Sequence, residues 1–175
     1  MKRWPYFAAI LCAATPASAE VVHADPHDLS VREAVQLVVP PGEAMAAFVR
    51  VSGWWSKEHS YSGNAANLSI EPIPGGCFCE RFPGGGGIEH MRVTYVKPGS
   101  DLLLTGALGP LLGEAVTGVM SVHAQKIAGG ARVTIDYRAT GFVNANADKL
   151  APMVDAMLAD QAKRFAAFAA RGGGR

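Results

Sequence analysis

Between positions 132 and 143 the chain alternates. Val133, Ile135, Tyr137 and Ala139 are apolar, whereas Arg132, Thr134, Asp136 and Arg138 are polar. A period of two sends successive side chains to opposite faces, so this is a strand with one buried face. Shorter runs of the same kind predict strands at 30–39, 68–72, 76–83, 88–97, 101–108 and 115–127. Turns rich in glycine and proline separate them, among them Pro74-Gly75-Gly76, Pro98-Gly99 and Gly129-Gly130. The period then changes. In 148–170, Leu150, Met153, Val154, Met157, Leu158, Ala162, Phe165 and Ala169 recur at helical spacing, with Asp148 as N-cap, Pro152 in the first turn and Gly172 as stop. Such a helix of roughly 20 residues is ~30 Å long. A shorter helix is expected from Pro41, with Ala44, Phe48 and Val51 on one side. Residues 52–63, carrying Trp54, Trp55 and Tyr61, read as a loop or second short helix. Strands grouped beside segregated helices predict an α+β domain: a curved antiparallel sheet of about six or seven strands with a long C-terminal helix over its concave face.

The stretch "GGCFCERFPGGGGIEH" at 75–90 carries the candidate chemistry. Cys77 and Cys79 could form a disulfide, half of a metal site, a nucleophile or core packing. On a regular strand residues i and i+2 stand ~6.6 Å apart at a rise of ~3.3 Å. A disulfide prefers Cβ atoms ~3.8 Å apart, so bridging requires the strand to bend. A zinc site needs further thiolates or histidines, and no second CxxC or HxxxH is present. Pro83 to Gly87 is a turn run, so Phe82 is expected opposite Ile88 and Cys79 opposite Met91, on the face that Val93 and Tyr95 share. The cysteines are therefore read as small apolar groups on the buried face. Glu80 and His90 fall opposite each other on the polar face, a solvated pair contributing ~0.2–1 kcal/mol.

The start of the chain bears on its destination. Lys2 and Arg3 precede a mostly apolar run from Trp4 to Thr15, and Ala17-Ser18-Ala19 offers a small-residue cleavage site. That layout predicts a signal peptide at 1–19, a flexible leader at 20–27, one domain at 28–171 and an unstructured tail at 172–175, with the protein periplasmic or secreted. Cleavage would move the net charge from +1 to −1. No basic run or RNA-binding signature is present, so nucleic acid is not an expected partner. No stretch is long and apolar enough to span a bilayer as a helix.

The element order, with "GWWS" at 53–56, "GGCFCE" at 75–80, "LTGALGPL" at 104–111 and "DYRATG" at 136–141, resembles the START-like superfamily. This helix-grip group, also called SRPBCC, includes polyketide cyclases, lipid-transfer domains and heat-shock-ATPase activator homologues. The resemblance spans roughly residues 28–170 and implies an apolar cavity between sheet and long helix. The lining it implies is Cys77, Cys79, Met91, Val93, Tyr95, Leu104, Met120 and Tyr137 from strands, with Met153 and Met157 from the helix. Trp54, Trp55 and Tyr61 would form the mouth, and the Tyr95 or Tyr137 hydroxyl would orient a ligand. The function expected is an exported carrier of an apolar small molecule: a lipid, isoprenoid or aromatic compound. A cyclase/aromatase- or hydrolase-like enzyme using the same cavity is the alternative, and an envelope protein-interaction module a further one. No catalytic constellation matches the family, so binding ranks above catalysis; His59, beside the two tryptophans, is the best remaining base. No metal or cofactor is expected.

Overall fold

Every alternating segment becomes a strand in the computed structural model, which describes residues 18–174. The strands are β1 (Ser18–Ala24), β2 (Asp28–Leu37), β3 (Leu68–Ile70), β4 (Cys77–Arg81), β5 (Gly87–Lys97), β6 (Asp101–Thr105), β7 (Thr117–Ile127) and β8 (Gly130–Thr140). They form one antiparallel sheet of eight strands in the order β1-β2-β8-β7-β6-β5-β4-β3. Helix α1 (Pro41–Val49) follows β2, and α2 (Ala147–Ala170) closes the chain and packs across β2 and β1. Three short 3-10 turns lie between α1 and β3, and a fourth at Gly109–Glu114 joins β6 to β7.

Most of the expected flexible leader is an edge strand. Residues 20–24 belong to β1, with Val21 opposite Val31 of β2. An edge strand has only one neighbour and little apolar surface to bury, so its sequence shows no alternation. The expected signal peptide lies almost wholly in residues 1–17, outside the described residues.

The inner face of the sheet follows the alternation closely. Leu29, Val31, Val35 and Leu37 of β2, Val133, Ile135, Tyr137 and Ala139 of β8, and Met120, Val122 and Ala124 of β7 are all buried. Helix α2 answers with Ala151, Leu158, Ala162, Phe165 and Ala169, steps of three, four or seven residues that keep one stripe against the sheet. The stripe is rotated from the expected one near the N-terminus, where Met153 is 67% exposed and Leu150, Val154 and Met157 are only half-buried. The cap is Asn146 rather than Asp148. Gly172 and Gly173, expected in an unstructured tail, close the helix instead. Gly172 donates to the Ala169 carbonyl and Gly173 to that of Phe168, the double closure of a Schellman motif. Arg50 Nη1 holds the Gly173 carbonyl at 3.0 Å.

Two bulges in β5 break the alternation. Against β4, Phe78 pairs with Met91 but Cys79 pairs with Glu89, so His90 is the extra residue. Against β6, Val93 pairs with Leu104 and Tyr95 with Leu103, so Thr94 is extra. Each bulge adds one residue and reverses the facing of the residues beyond it. As a result His90 and Met91 both point inward, Thr94 and Tyr95 both point outward, and Tyr95 is 51% exposed. Tyr95 is therefore not an inner-face residue.

One inner-face residue is out of character. Glu33 of β2 is fully buried under α2, and among the described residues neither of its carboxylate oxygens has a hydrogen-bond partner. Burial drives its pKa up to about 7, the Asp155 carboxylate adds to the rise and Lys163 opposes it. The folded protein thus holds this proton more tightly than the unfolded chain does. Its contribution to stability is complete below the unfolded value near 4.5 and is lost as pH rises through 7. Glu33→Gln, which cannot ionise, should therefore match the parent most closely at low pH and gain in melting temperature relative to it as pH rises to about 8. A difference in melting temperature that does not vary with pH would contradict this assignment.

Candidate functional site

The inner end of β4 and the loop after α1 build the site together. In β4 the buried residues are Phe78 and Glu80, while Cys77 and Cys79 are half-buried on the outer face. This reverses the expected facing, because the His90 bulge moves the register by one. The cysteines form a disulfide with a Cα–Cα distance of 5.3 Å. That is shorter than the ~6.6 Å of a straight strand, so the bend a bridge requires is present.

Glu80 is not a solvated group. It is 1% exposed, and its carboxylate accepts the backbone amides of Tyr61, at 3.0 Å, and Ser62. His90 Nε2 stands 3.3 Å from Glu80 Oε2, with the imidazole 5% exposed. Burial raises the carboxyl pKa, but the hydrogen bonds from Ser62, Tyr61 and His90 outweigh it, so the net direction is down and Glu80 is ionised. Burial lowers the pKa of His90, and Glu80 offsets this only in part. An ionised acid therefore faces a neutral imidazole.

A second buried side chain pins the same loop from the opposite wall. Gln161 of α2 accepts the Ser56 amide with Oε1 at 2.9 Å and approaches His59 Nδ1 with Nε2 at 2.8 Å. The Ser56 contact fixes the amide orientation, so Nε2 donates and His59 accepts through Nδ1. The Trp55 indole N–H donates to the His59 carbonyl at 2.8 Å, and that of Trp54 to the Phe48 carbonyl at 3.0 Å. Ring contacts connect the walls: Trp54 to Trp55 at 5.5 Å, Trp55 to Phe78 at 5.5 Å, Phe78 to His90 at 5.1 Å and His90 to Tyr61 at 5.9 Å.

Two adjoining cavities open beside this loop. One of about 370 Å³ is bounded by Trp55, Glu58, His59, Tyr61, His90 and Met157, among others. The other, of about 240 Å³, lies between the 3-10 turn and the first half of α2, against Leu111, Tyr137, Leu150, Met153 and Val154. They share His59, Leu108, Pro110 and Met157. The second exists because the α2 stripe turns away from the sheet there, leaving half-buried side chains facing the turn. Tyr137 closes its floor. The Tyr137 hydroxyl accepts the Leu108 amide at 3.1 Å, and burial pushes its pKa up to about 12. Gly118 makes room for it, since a Cβ there would lie 2.8 Å from that hydroxyl.

Of the residues expected to line a cavity, Trp55, Tyr61, Tyr137, Met153 and Met157 do so. Trp54, Met91, Val93, Leu104 and Met120 are buried in the core instead, and Tyr95, Cys77 and Cys79 face outward. His59 lies at the mouth, as its place beside the tryptophans suggested. Sequence reasoning missed Gln161 and the inward facing of His90 and Glu80. The pairing of those last two was readable from the hairpin, but their side of the sheet was not.

No family model matches the chain, and no curated protein matches it. Solved structures do. Protein CV1439 from Chromobacterium violaceum is 17% identical with a TM-score of 0.57, over 81% of this chain and 96% of that one. DynU16, a protein of the dynemicin biosynthetic locus, is 20% identical at a TM-score of 0.57, over 79% of this chain and 46% of its own. The di-domain ARO/CYC protein StfQ of the steffimycin biosynthetic pathway is 15% identical at 0.56, over 86% and 53%. The chain thus spans about half of each of these last two. At these identities the likeness concerns the fold, which is the helix-grip arrangement of an antiparallel sheet and a long C-terminal helix.

The buried carboxylate is the part of the site most sensitive to substitution. Glu80→Leu leaves two backbone amides and an imidazole without their acceptor and should cost roughly 2–4 kcal/mol in chemical unfolding. Glu58→Leu, an exposed change on the same loop, should stay within about 0.5 kcal/mol. Equal effects would show that Glu80 does not hold the loop.

Proposed function

We propose that this protein binds an apolar small molecule in the paired cavities under the 55–62 loop, and that it does so after export. The observation that carries the reading is the cavity itself: about 370 Å³ beside about 240 Å³, with rings and aliphatic side chains for most of its wall and a few polar groups at one end. Ligand sites are commonly mostly apolar clefts of about 300–1,000 Å³ with a few placed polar groups. Apolar burial would supply affinity at ~25 cal/mol per Å². Export is supported by the basic and apolar start of the chain, and the Cys77–Cys79 disulfide suits an oxidising compartment. Cleavage after Ala19 would still leave Glu20 to Ala24 to pair with β2. A lipid, isoprenoid or aromatic compound fits the wall chemistry.

A second reading, turnover of the cyclase/aromatase kind, is favoured by one observation: the His90 imidazole bounds the cavity with the buried Glu80 carboxylate 3.3 Å behind it. Incubation of the purified protein with its extracted ligand separates the two readings, since a carrier returns it unchanged.

Native mass spectrometry of the protein purified from its own cell envelope tests the binding. A discrete small-molecule adduct is expected, together with a mature mass beginning near Glu20. Met157→Trp, which fills the space shared by both cavities, should weaken retention by roughly tenfold or more. Tyr95→Ala on the outer face should leave it unchanged. Retention insensitive to Met157→Trp would move the ligand elsewhere, and an unprocessed N-terminus would refute export.

A further inference from the structure

His90 is a wall residue whose hydrogen bonding is unfinished. Glu80 is ionised and can only accept, so Nε2 must carry the proton that bridges the 3.3 Å between them. The ring is neutral and has one proton to place. Nδ1 is therefore a bare acceptor. It is buried, and among the described residues nothing donates to it. Buried acceptors are almost always satisfied, and an unpaired one on a ring that bounds a cavity marks a place for a ligand's donor. Glu80 is itself locked by the amides of Tyr61 and Ser62, so the imidazole cannot reverse its proton without losing that bond.

The surroundings narrow the chemistry of the donor. Trp55 and Tyr61 bound the same cavity as His90, with Leu108, Pro110 and Met157 completing much of its apolar wall. The rings of Phe78 and Tyr61 lie 5.1 and 5.9 Å from the imidazole. Flat rings pack well against such walls. Nδ1 is itself buried, so a charged donor such as an ammonium would have to shed its water to reach it. A neutral hydroxyl on an aromatic frame meets both demands.

We infer that His90 Nδ1 accepts a hydrogen bond from a ring hydroxyl, so that the site selects phenolic aromatic compounds over the same frame without a donor. This rests on the reading of the cavity as a small-molecule site. Glu80 acts through His90 as a positioning residue, fixing the tautomer and presenting the free lone pair. The hydroxyl keeps its proton, and the step is recognition only.

The test compares 2-naphthol with 2-methoxynaphthalene, which have the same ring frame but differ in donor capacity. In equilibrium dialysis against the full mature chain, 2-naphthol should bind about tenfold more tightly. In His90→Phe that preference should vanish. Long-range proton–nitrogen spectra of the unaltered protein give a readout that does not depend on the variant folding. They should show Nδ1 of His90 unprotonated, and its resonance should move with 2-naphthol but not with 2-methoxynaphthalene. Equal binding of the two compounds, or a protonated Nδ1 in the free protein, overturns the inference and leaves the cavity reading intact. Binding of neither compound counts against the cavity reading and overturns the inference with it.

Discussion

A carboxylate buried under a loop organises this end of the molecule. Glu80 reaches from β4 into the space beneath residues 56–62 and takes up two of that loop's amides. From the helix side Gln161 takes the Ser56 amide and donates to His59. The inward-facing amides of a loop need partners, and here two side chains of the domain supply them. Trp55 is thereby set against Phe78, and the mouth of the cavity is given a fixed edge. Without Glu80 the loop would have to take its hydrogen bonds from water, and the wall formed by Trp55, His59 and Tyr61 would move away from His90.

The bulge at His90 makes this arrangement possible. A regular hairpin would send His90 and Met91 to opposite faces, and the imidazole could not meet both Glu80 and the cavity. One extra residue in β5 turns both inward and leaves the Cys77–Cys79 disulfide on the outer surface. The second bulge at Thr94 then turns Tyr95 outward, after which Val96 packs toward the core opposite Leu102. The strand that lines the site is thus the irregular one. Beyond β6 in the sheet, β7 and β8 pair without interruption, and Tyr137 of β8 closes the cavity floor.

These features explain what could be read from the residues and what could not. Val133 to Ala139 announce β8 because both faces of that strand keep their solvent regimes along its length. Leu158, Ala162, Phe165 and Ala169 announce α2 for the same reason. Glu80 and His90 were legible as partners, since hairpin geometry brings them together in either register, but not as buried partners. Polarity argued for the outside, and the bulge carries no local signal in "IEHMRV". Gln161 was hidden on the helix stripe because its value lies in the amide of Ser56, a contact between residues far apart in the chain. The edge strand β1 was hidden because its residues, SAEVVHA, show no alternation.

The central claim is that Glu80 ties the 56–62 loop to the sheet, and amide hydrogen exchange at Tyr61 and Ser62 tests it most directly. Both amides should exchange slowly, with protection approaching that of strand amides in β4 and β5, although they lie in a surface loop. Exchange at the rate of an unstructured peptide would contradict the account, because neither amide would then be held by a buried carboxylate.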